Sequence, residues 1–372
     1  MAIEGRDERN WPDEIKMIIA GGGTGGHLFP GLAIGQEISE RYERSEILFI
    51  TGLRKIEAEI IERSGFKQES INIEGLKGRG WIGGMRALIR IPLGLYNSVR
   101  IIQRMSPNIV LGVGGYSSGP VCLAARIMGI PSAIHEQNSF PGLTNRLLCR
   151  VVDKVFISFE ESRAHFPGGA FHVTGNPVRE SLFENRGGES MDDDRFTILV
   201  MGGSQGARAI NEAFVEALEI IRGQGRDPLV IHQSGQGNHQ DVVAAYRAKG
   251  LQGDVIPFIE DMAEVYSKTD MVVSRAGATT VSELAALGKP SLLIPYPYAA
   301  NNHQEVNARV LVAAEGAEMI LEEDLSPRTL AERLMKYMDD RDALLGMGEA
   351  ARSIGRRDAA RIIVDHLADM MQ

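Results

Sequence analysis

Short apolar runs alternate along this chain with longer segments whose apolar positions recur at helical spacing. In the first half the runs lie at Met17–Ala20, Ile47–Ile50, Ile109–Val113, Ser132–His135 and Lys154–Ile157. The rhythm restarts at Thr197–Met201, Leu229–His232, Asp254–Pro257, Met271–Ser274 and Ser291–Pro295. Strands that alternate with helices form βαβ units on parallel sheets. The pattern therefore predicts an α/β protein in which two similar sheets follow one another.

A weak internal repeat supports two related halves. Met17–Gly26 and Thr197–Gly206 both run from an apolar strand into a glycine-rich turn that contains a hydroxyl residue. We place the boundary after Val173, where the following Gly and Pro are typical of a turn. The predicted domains are 15–175 and 176–351, and the last helix is predicted from about Arg352 to Met370.

Composition narrows the class of protein. The chain has 372 residues, of which 44% are hydrophobic and 24% charged, the balance of a globular protein rather than a disordered one. Its formal net charge of −9 gives no global attraction for nucleic acid, so no nucleic-acid partner is expected. Cys122 and Cys149 are too few for a disulfide framework or a zinc site, which favours a reducing cytosol. The first sixteen residues lack the apolar region of a secretory signal, and we interpret them as a disordered lead-in.

The segment from Lys67 to Arg104 differs from the rest of the chain because it carries seven basic and two acidic residues. Apolar side chains are interleaved with these charges, and Arg and Pro residues interrupt the run before it could span a membrane. Such a segment suits an anionic membrane surface, although a helix packed on its own domain with its basic residues outward has the same pattern. The candidate contacts are Leu76, Trp81, Ile82, Arg86 and Arg90.

Two glycine-rich turns follow predicted strands and offer backbone N–H groups to an anion. The first, GGGTGGH at 21–27, presents Thr24 and His27, and its spacing matches neither a dinucleotide fingerprint nor a P-loop. It could equally be a plain turn, with the histidine satisfied by backbone. The second, GGSQGAR at 202–208, offers Ser204 to a phosphate, and Arg179 is a cation placed to face the same group.

Polar residues also follow the next strands of the first domain. Tyr116 lies in a third glycine-rich loop at the carboxyl edge of the predicted sheet, where ligands of open α/β sheets bind. His135 and Glu136 close a strand and are followed by Gln137 and Asn138. These residues form either a turn or part of a site, and neighbours on a strand point to opposite faces.

In the second domain, the motif SRAGATTVSE at 274–283 runs from a predicted strand into a predicted helix. Thr280 and Glu283 have the spacing of a capping box. The carboxylate of Glu283 could instead accept the hydroxyls of a ribose. The amides around Gln304 suit sugar hydroxyls but also occur in ordinary loops. Asp192–Asp194 is interpreted as a solvated linker, so no metal site is predicted.

Eight motifs, taken together and in order, resemble the MurG family of glycosyltransferases. They are GGTGGHLFPGLA, VGGYSSGP, HEQNSFPGLTNRLL, TGNPVR, GGSQGA, FIEDM, SRAGATTVSE and NHQEVNA. The resemblance implies two Rossmann-like domains that face across a cleft, the GT-B arrangement, with the acceptor domain first and the C-terminal helix (about 352–372) packing back on it. It also implies UDP-N-acetylglucosamine as the donor and an undecaprenyl-linked muramyl-pentapeptide as the acceptor.

The resemblance further implies roles for individual residues. Ile259 would meet the uracil through its backbone, Glu283 the ribose, and Ser204 and Arg179 the phosphates. The sugar and diphosphate would be surrounded by Thr24, Gly25, Gly26, Asn138, Ala278, Thr279, Thr280, Val281, Ser282 and Gln304. Asn302 lies in a stretch that matches less well, and no role is assigned to it.

A family of this kind inverts the anomeric centre, which requires a base for the acceptor hydroxyl. His27 is the first candidate because its ordinary pKa lies near neutrality, and Glu136 is the second. No cofactor is expected to be required, and the sequence leaves open whether Mg²⁺ assists. The implied location is the cytoplasmic face of the bacterial inner membrane, as a peripheral protein. A UDP-N-acetylglucosamine 2-epimerase is the alternative function, and a nicotinamide-dependent dehydrogenase is disfavoured by the glycine spacing.

Overall fold

The structure, a computed structural model, describes residues 14–22, 25–72, 81–183, 195–203 and 206–372, with the backbone alone for 81–91. The chain forms two compact units. The first contains the described residues up to Gln137, then Pro141–Pro177 and Asp358–Gln372. The second contains Asn138–Phe140 and the described residues of Val178–Arg357. The main crossing from the first unit to the second therefore follows Pro177, four residues after Val173 and two after the predicted end of the first domain at 175.

The first unit is built from alternating parallel strands and helices. Its strands are β1 Ile15–Gly21, β2 Ser45–Thr51, β3 Lys67–Ser70, β4 Ile109–Gly114, β5 Ser132–Glu136, β6 Lys154–Ile157 and β7 Phe171–Val173. Its helices are α1 Gly25–Arg41, α2 Lys55–Arg63, α3 Trp81–Met105, α4 Ser118–Ile127, α5 Leu143–Leu148 and the C-terminal α13 Ala359–Asp369. The strands lie in the order β3-β2-β1-β4-β5-β6-β7, and every described pair is parallel.

The second unit repeats this plan. Its strands are β8 Thr197–Met201, β9 Leu229–Gln233, β10 Asp254–Ile256, β11 Met271–Ser274, β12 Ser291–Leu293 and β13 Glu318–Met319. Its helices are α6 Arg208–Gly223, α7 His239–Ala248, α8 Met262–Lys268, α9 Ala278–Leu287, α10 His303–Ala313, α11 Pro327–Asp339 and α12 Arg341–Ile354. The strand order is β10-β9-β8-β11-β12-β13, so β8 holds the place that β1 holds in the first sheet. The two strands of the internal repeat are thus equivalent in topology.

Helices cover both faces of the first sheet, which explains why its central strands are almost continuously apolar. Met17 and Ile19 of β1 pack with α1 and with Ile363 and Leu367 of α13. Ile18 of the same strand packs on the other face with residues of α3 and α4. A strand with one face exposed to solvent would alternate apolar and polar residues. The central strand β1 shows no such alternation because both of its faces are buried.

Three short strands were not predicted from the sequence. They are β3, β7 and β13, and each lies at the edge of its sheet. The sequence of β3 is KQES, which has no apolar run because an edge strand buries little of its surface. Hydrophobic periodicity finds strands by their burial, so it passes over those that are held mainly by backbone hydrogen bonds.

The predicted start of the last helix, at about Arg352, is wrong. The helix α12 ends at Ile354, and α13 begins at Ala359. A Cβ on Gly355 would lie 2.5 Å from the Ala285 carbonyl oxygen, so the chain between the helices runs against α9 in the second unit. The following helix α13 belongs to the first unit, where Arg41 forms an ion pair of 2.7 Å with Asp365.

Several predictions fall on residues that the structure does not describe. Thr24, Leu76, Ser204, Asp192–Asp194 and most of the predicted lead-in lie outside the described residues. Trp81, Ile82, Arg86 and Arg90 lie on the first part of α3, at 81–91, where only the backbone is described. The lead-in was predicted two residues too long, since Ile15 and Lys16 already belong to β1.

Each sheet has a point where the strand order reverses, between β1 and β4 in the first and between β8 and β11 in the second. The loops that leave the two strands diverge there, which opens a crevice at the carboxyl edge. In the first unit the two loops touch closely, and a Cβ on Gly115 would lie 2.2 Å from the Gly22 carbonyl oxygen. Only glycine permits this approach.

We expect Gly115→Ala to destabilise the first unit much more than Gly65→Ala. Both glycines have a φ of +83°, so both substitutions incur the left-handed penalty of about 1–2 kcal/mol. Gly65 has no atom within 4 Å of an added Cβ, whereas Gly115 would have to displace the Gly22 backbone. That displacement should add about 1–3 kcal/mol. Denaturant unfolding of the two variants measures the difference, and equal free energies of unfolding would contradict the close approach.

Candidate active site

His27 lies at the glycine-rich turn after β1, as the third residue of α1. Its Nδ1 is 2.9 Å from Oε1 of Gln137, which follows β5. The alternative in which backbone groups satisfy this histidine is therefore not what the structure shows. Gly25 and Gly26 are the first two residues of α1, at the positive end of the helix dipole.

The loop after β4 packs against the ring of His27. A Cβ on Gly114 would lie 2.8 Å from Nδ1 of His27, so this position has room only for glycine. Ser118 fixes the loop, because its Oγ lies 3.0 Å from the Gly114 amide and 2.7 Å from the Ala20 carbonyl oxygen. Tyr116 projects from this loop and is half exposed.

The end of β5 supplies a buried chain of polar side chains. Nε2 of Gln137 lies 2.8 Å from the Val113 carbonyl oxygen and 3.1 Å from Nδ1 of His135. Nε2 of His135 lies 3.2 Å from the Gly175 carbonyl oxygen. Burial lowers the pKa of His135 to about 4, so this ring is neutral near pH 7.

Glu136 points away from this chain, as expected for the residue between His135 and Gln137. Its Oε2 accepts hydrogen bonds from the Gly142 amide at 3.0 Å and from Nδ2 of Asn145 at 2.9 Å. The carboxylate is buried and holds the start of α5.

In the second unit, Glu283 lies buried on α9 between a cation and a phenol. Arg179 Nη2 is 3.5 Å from its Oε1, and the Tyr266 hydroxyl donates to its Oε2 at 3.2 Å. Burial raises the pKa of Glu283, while Arg179 and Tyr266 act in the opposite direction by favouring the charged form. The site thus places a carboxylate and a guanidinium side by side.

The capping-box interpretation of Thr280 and Glu283 is wrong. The helix α9 starts at Ala278 after Gly277, and no side chain caps it. Glu283 is therefore in the middle of the helix, more than a turn from its start. Ala278 and Val281 are buried, while Thr279, Thr280 and Ser282 are partly exposed.

Ile259 presents its backbone rather than its side chain, which is buried. Its amide donates to Oε1 of Gln233 at 3.1 Å, and Nε2 of Gln233 donates to the Gly203 carbonyl oxygen at 3.0 Å. Gln233 thus joins this segment to the glycine-rich loop after β8. Gly206 in that loop has a φ of +77°, and a Cβ there would lie 2.3 Å from the Ser234 carbonyl oxygen.

Gln304 is the second residue of α10, and its Oε1 accepts a hydrogen bond from the Tyr296 amide at 3.0 Å. Because this bond uses the amide oxygen of Gln304, the NH₂ group of the same amide points away from the Tyr296 backbone. Asn138 Oδ1 lies 3.4 Å from Nδ2 of Asn307, a buried residue of the same helix. Asn307 also accepts from the Ser139 amide at 3.0 Å, which holds residues 138–140 to the second unit.

Comparison with known proteins assigns the chain to a family. Residues 17–157 match the glycosyltransferase family 28 N-terminal domain, and residues 197–363 match the glycosyltransferase family 28 C-terminal domain. The chain belongs to glycosyltransferase family 28. This family 28 member is an enzyme, a glycosyltransferase, and its predicted resemblance to the MurG family is confirmed.

Two relatives cover nearly the whole of this family 28 chain. A protein of Myxococcus xanthus is 44% identical over 358 residues, which are 96% of this chain and 93% of the relative. One of Syntrophus aciditrophicus is 44% identical over 361 residues, which are 96% of this chain and 99% of the relative. Both are named UDP-N-acetylglucosamine–N-acetylmuramyl-(pentapeptide) pyrophosphoryl-undecaprenol N-acetylglucosamine transferase.

Solved structures agree with the fold. MurG of Acinetobacter baumannii has a TM-score of 0.76 at 30% identity and covers 96% of this chain and 99% of its own. A UDP-N-acetylglucosamine 2-epimerase of Neisseria meningitidis has a TM-score of 0.69 at 15% identity, covering 95% of this chain and all of its own. The second likeness concerns the fold alone. The prediction of two Rossmann-like domains of GT-B type is confirmed.

Sequence reasoning missed several polar residues of the candidate site. Asn307 lies within one of the motifs but has no predicted role, and Gln137 is predicted only as part of a polar turn or site. No sequence pattern singles out Gln233 or Tyr266. Asn176 is also buried, and its amide atoms have no hydrogen-bond partner among the described residues. The detectable signal was position, because Gln137 and Gln233 both close or follow strands at the carboxyl edge of their sheets.

Two features are absent from the described residues. No cluster of three or more His, Cys, Asp or Glu side chains is arranged there to hold a metal ion. No helix in that part of the chain is long and apolar enough to cross a membrane. The expectation that the reaction requires no cofactor stays a prediction.

Proposed function

We propose that this glycosyltransferase moves N-acetylglucosamine from UDP-N-acetylglucosamine to the 4-hydroxyl of the muramyl residue of undecaprenyl-pyrophosphoryl-MurNAc-pentapeptide. The observation that carries the proposal is 44% identity, over 96% of the chain, to relatives named for this activity. The epimerases share the fold at 15–16% identity and give no comparable support for the alternative.

The second unit would bind the donor. The Glu283 carboxylate can accept hydrogen bonds from both ribose hydroxyls, and its neighbour Arg179 can bind the diphosphate. Since the Ile259 amide is already bonded to Gln233, its carbonyl is the backbone group left to accept from the uracil N3–H. The start of α9, from Ala278 to Ser282, adds a positive helix end near the sugar phosphate.

Amides would surround the sugar. Gln304 is oriented by the Tyr296 amide, so its nitrogen can donate to a sugar hydroxyl. Asn138 is held by Asn307 and offers a second amide. The predicted contacts of Thr24, Gly25, Gly26 and Ser204 with the sugar and diphosphate belong to the same proposal.

The first unit would supply the base. As the muramyl 4-hydroxyl oxygen forms a bond to C1 of the sugar, the bond from C1 to the phosphate oxygen breaks and UDP leaves. The proton of the hydroxyl passes to His27, and attack from the face opposite the leaving group inverts C1. Arg179, Ser204 and the helix N-terminus stabilise the charge that develops on the diphosphate. Glu136 is the weaker candidate because its carboxylate holds Gly142 and Asn145.

We further propose that the first unit docks on the anionic cytoplasmic face of the inner membrane, where a lipid-linked acceptor lies. The basic segment around Trp81 would make the contact, together with Leu76, Ile82 and Tyr116. Apolar residues on three successive helices, α3, α4 and α5, support this proposal because they are exposed. They are Leu93, Tyr96, Leu123, Ile127, Leu143 and Leu147. Helix α3 packs on α4, and α4 packs on α5.

His27→Ala should retain donor binding and lose turnover by about 10²–10⁴-fold, because a positioned base contributes that much. The assay is transfer of labelled N-acetylglucosamine from UDP to the lipid-linked muramyl-pentapeptide, with donor affinity measured separately. His165→Ala, at an exposed position of the same unit, is the control and should keep full activity. Near-normal turnover of His27→Ala would refute the assignment of the base. Conversion of UDP-N-acetylglucosamine alone would instead indicate an epimerase.

Glu283→Ala should raise the donor KM by about 10-fold or more, because it removes a charged acceptor of ribose hydrogen bonds. Tyr266→Phe is the matched control, since it removes the hydroxyl that donates to Glu283 and leaves the carboxylate with Arg179. Both variants should lower the midpoint of thermal unfolding, but only the first should change KM. An unchanged KM in Glu283→Ala would leave this residue a purely structural role.

Replacing Arg86 and Arg90 with Glu should weaken binding to anionic vesicles by roughly 2 kcal/mol or more, at about 1 kcal/mol for each basic residue. Salt should weaken binding of the wild type, and donor affinity should hardly change. The matched control is the double variant Arg247→Glu and Arg328→Glu, which makes the same charge change on exposed helices of the second unit. Co-sedimentation with anionic and neutral vesicles measures the effect. Equal pelleting of the wild type and the Arg86/Arg90 variant would place docking elsewhere.

A further inference from the structure

We propose that Gln137 and His135 are positioning residues that hold His27 in the tautomer with a proton on Nδ1, so that Nε2 is the atom that accepts the proton of the acceptor hydroxyl. The proposal rests on the function above, in which His27 is the base. It adds which nitrogen reacts and which side chains determine the choice.

The first step concerns the orientation of the Gln137 amide. A backbone carbonyl can only accept a hydrogen bond. The end of the Gln137 amide that lies 2.8 Å from the Val113 carbonyl oxygen must therefore be the NH₂ group. The other end, which faces His27 Nδ1 at 2.9 Å, must then be the amide oxygen. The orientation follows from the backbone and does not depend on how the two amide atoms are labelled.

A second carbonyl leads to the same orientation independently. The Gly175 carbonyl oxygen lies 3.2 Å from Nε2 of His135, so this nitrogen must donate. A neutral ring that donates from Nε2 has a lone pair on Nδ1. That lone pair can accept only from the NH₂ group of Gln137, 3.1 Å away. The ring is neutral because complete burial lowers its pKa to about 4.

The consequence for His27 is a fixed tautomer. An amide oxygen has no proton to give, so a hydrogen bond with it requires a proton on Nδ1 of His27. In the opposite tautomer, lone pairs on Nδ1 and on the Gln137 oxygen would face each other at 2.9 Å. A neutral ring with its proton on Nδ1 has its lone pair on Nε2.

The same contact also serves the reaction after the proton has moved. When Nε2 takes the proton, the ring becomes a cation, and its Nδ1–H bond to the Gln137 oxygen becomes a charge-assisted bond. The carboxylate of a catalytic triad plays a comparable part for its histidine. Gly114 allows the arrangement, because a Cβ there would lie 2.8 Å from Nδ1.

The decisive measurement is the tautomer of His27 in the full-length enzyme without substrate. With ¹⁵N-labelled histidine, long-range ¹H–¹⁵N correlations distinguish protonated from unprotonated ring nitrogens, and His27→Gln identifies the signals of His27 among the eight histidines. We expect neutral His27 in the wild type to have a protonated Nδ1 and an unprotonated Nε2. A protonated Nε2 in the wild type would overturn the proposal, whether or not any variant folds.

Gln137→Ala should shift His27 toward the Nε2–H form and lower kcat by about 10–100-fold, as loss of an orienting partner does elsewhere. The donor KM should hardly change, because Gln137 contacts His27, Val113 and His135 and has no predicted contact with the donor. His135→Phe should have a smaller effect on both, since the Val113 carbonyl still orients the amide. An unchanged tautomer in Gln137→Ala would overturn the proposal, because a merely structural glutamine would alter stability alone.

Gln68→Ala is the matched control. The Gln68 amide also donates within the first sheet, to Thr51 Oγ1 at 2.7 Å, and does not contact His27. This variant should keep the wild-type tautomer and kcat. The tautomer is read without substrate, so absence of transfer to the lipid-linked acceptor would refute the proposed function and leave this result standing. Transfer with the opposite tautomer would refute the inference alone.

Discussion

The candidate site of the first unit depends on the close approach of two loops where the strand order of the sheet reverses. Gly115 lies against the Gly22 carbonyl, and Gly114 lies against the His27 ring, with no space for a Cβ at either position. Ser118 joins the two loops by contacting both Ala20 and Gly114. If the loops stood farther apart, His27 would lose its contact with Gln137 at the end of β5.

The two units treat their functional side chains in different ways. In the first, the hydrogen-bonded side chains beside His27 are neutral, and their donors point to the backbone carbonyls of Val113 and Gly175. The position of each proton in this network is therefore determined by the backbone. In the second, Glu283 and Arg179 carry opposite charges in a buried setting, and Tyr266 adds a hydrogen bond. A neutral network suits a base such as His27, whose Nε2 must keep an unprotonated lone pair. A carboxylate beside a guanidinium offers an acceptor for hydroxyls and a cation for phosphates, the two kinds of group that the proposed nucleotide donor carries.

The membrane-facing proposal draws on a different kind of feature, exposed apolar side chains on helices of the first unit. Leu143 and Leu147 are about two-thirds exposed on α5, and Ile127 is similarly exposed on α4. Single exposed apolar residues are ordinary on protein surfaces, but several on three successive helices form a set that water solvates poorly. The basic segment of α3 belongs to the same unit, which is also the unit that would bind the lipid-linked acceptor.

The sequence by itself determined the central strands, the two-sheet plan and the position of the glycine-rich turns. A strand that is buried on both faces has an unbroken apolar run, and a tight turn contains glycines. Both features can therefore be recognised in the sequence alone. The edge strands β3, β7 and β13 escaped because pairing through the backbone alone leaves no such pattern. The start of α9 at Ala278, which excludes the capping box, and the break between α12 and α13 also had to be seen. Only the tertiary structure brought Gln137 to His27 and Tyr266 to Glu283, because contacts between residues 110 and 17 positions apart depend on which strands and helices become neighbours.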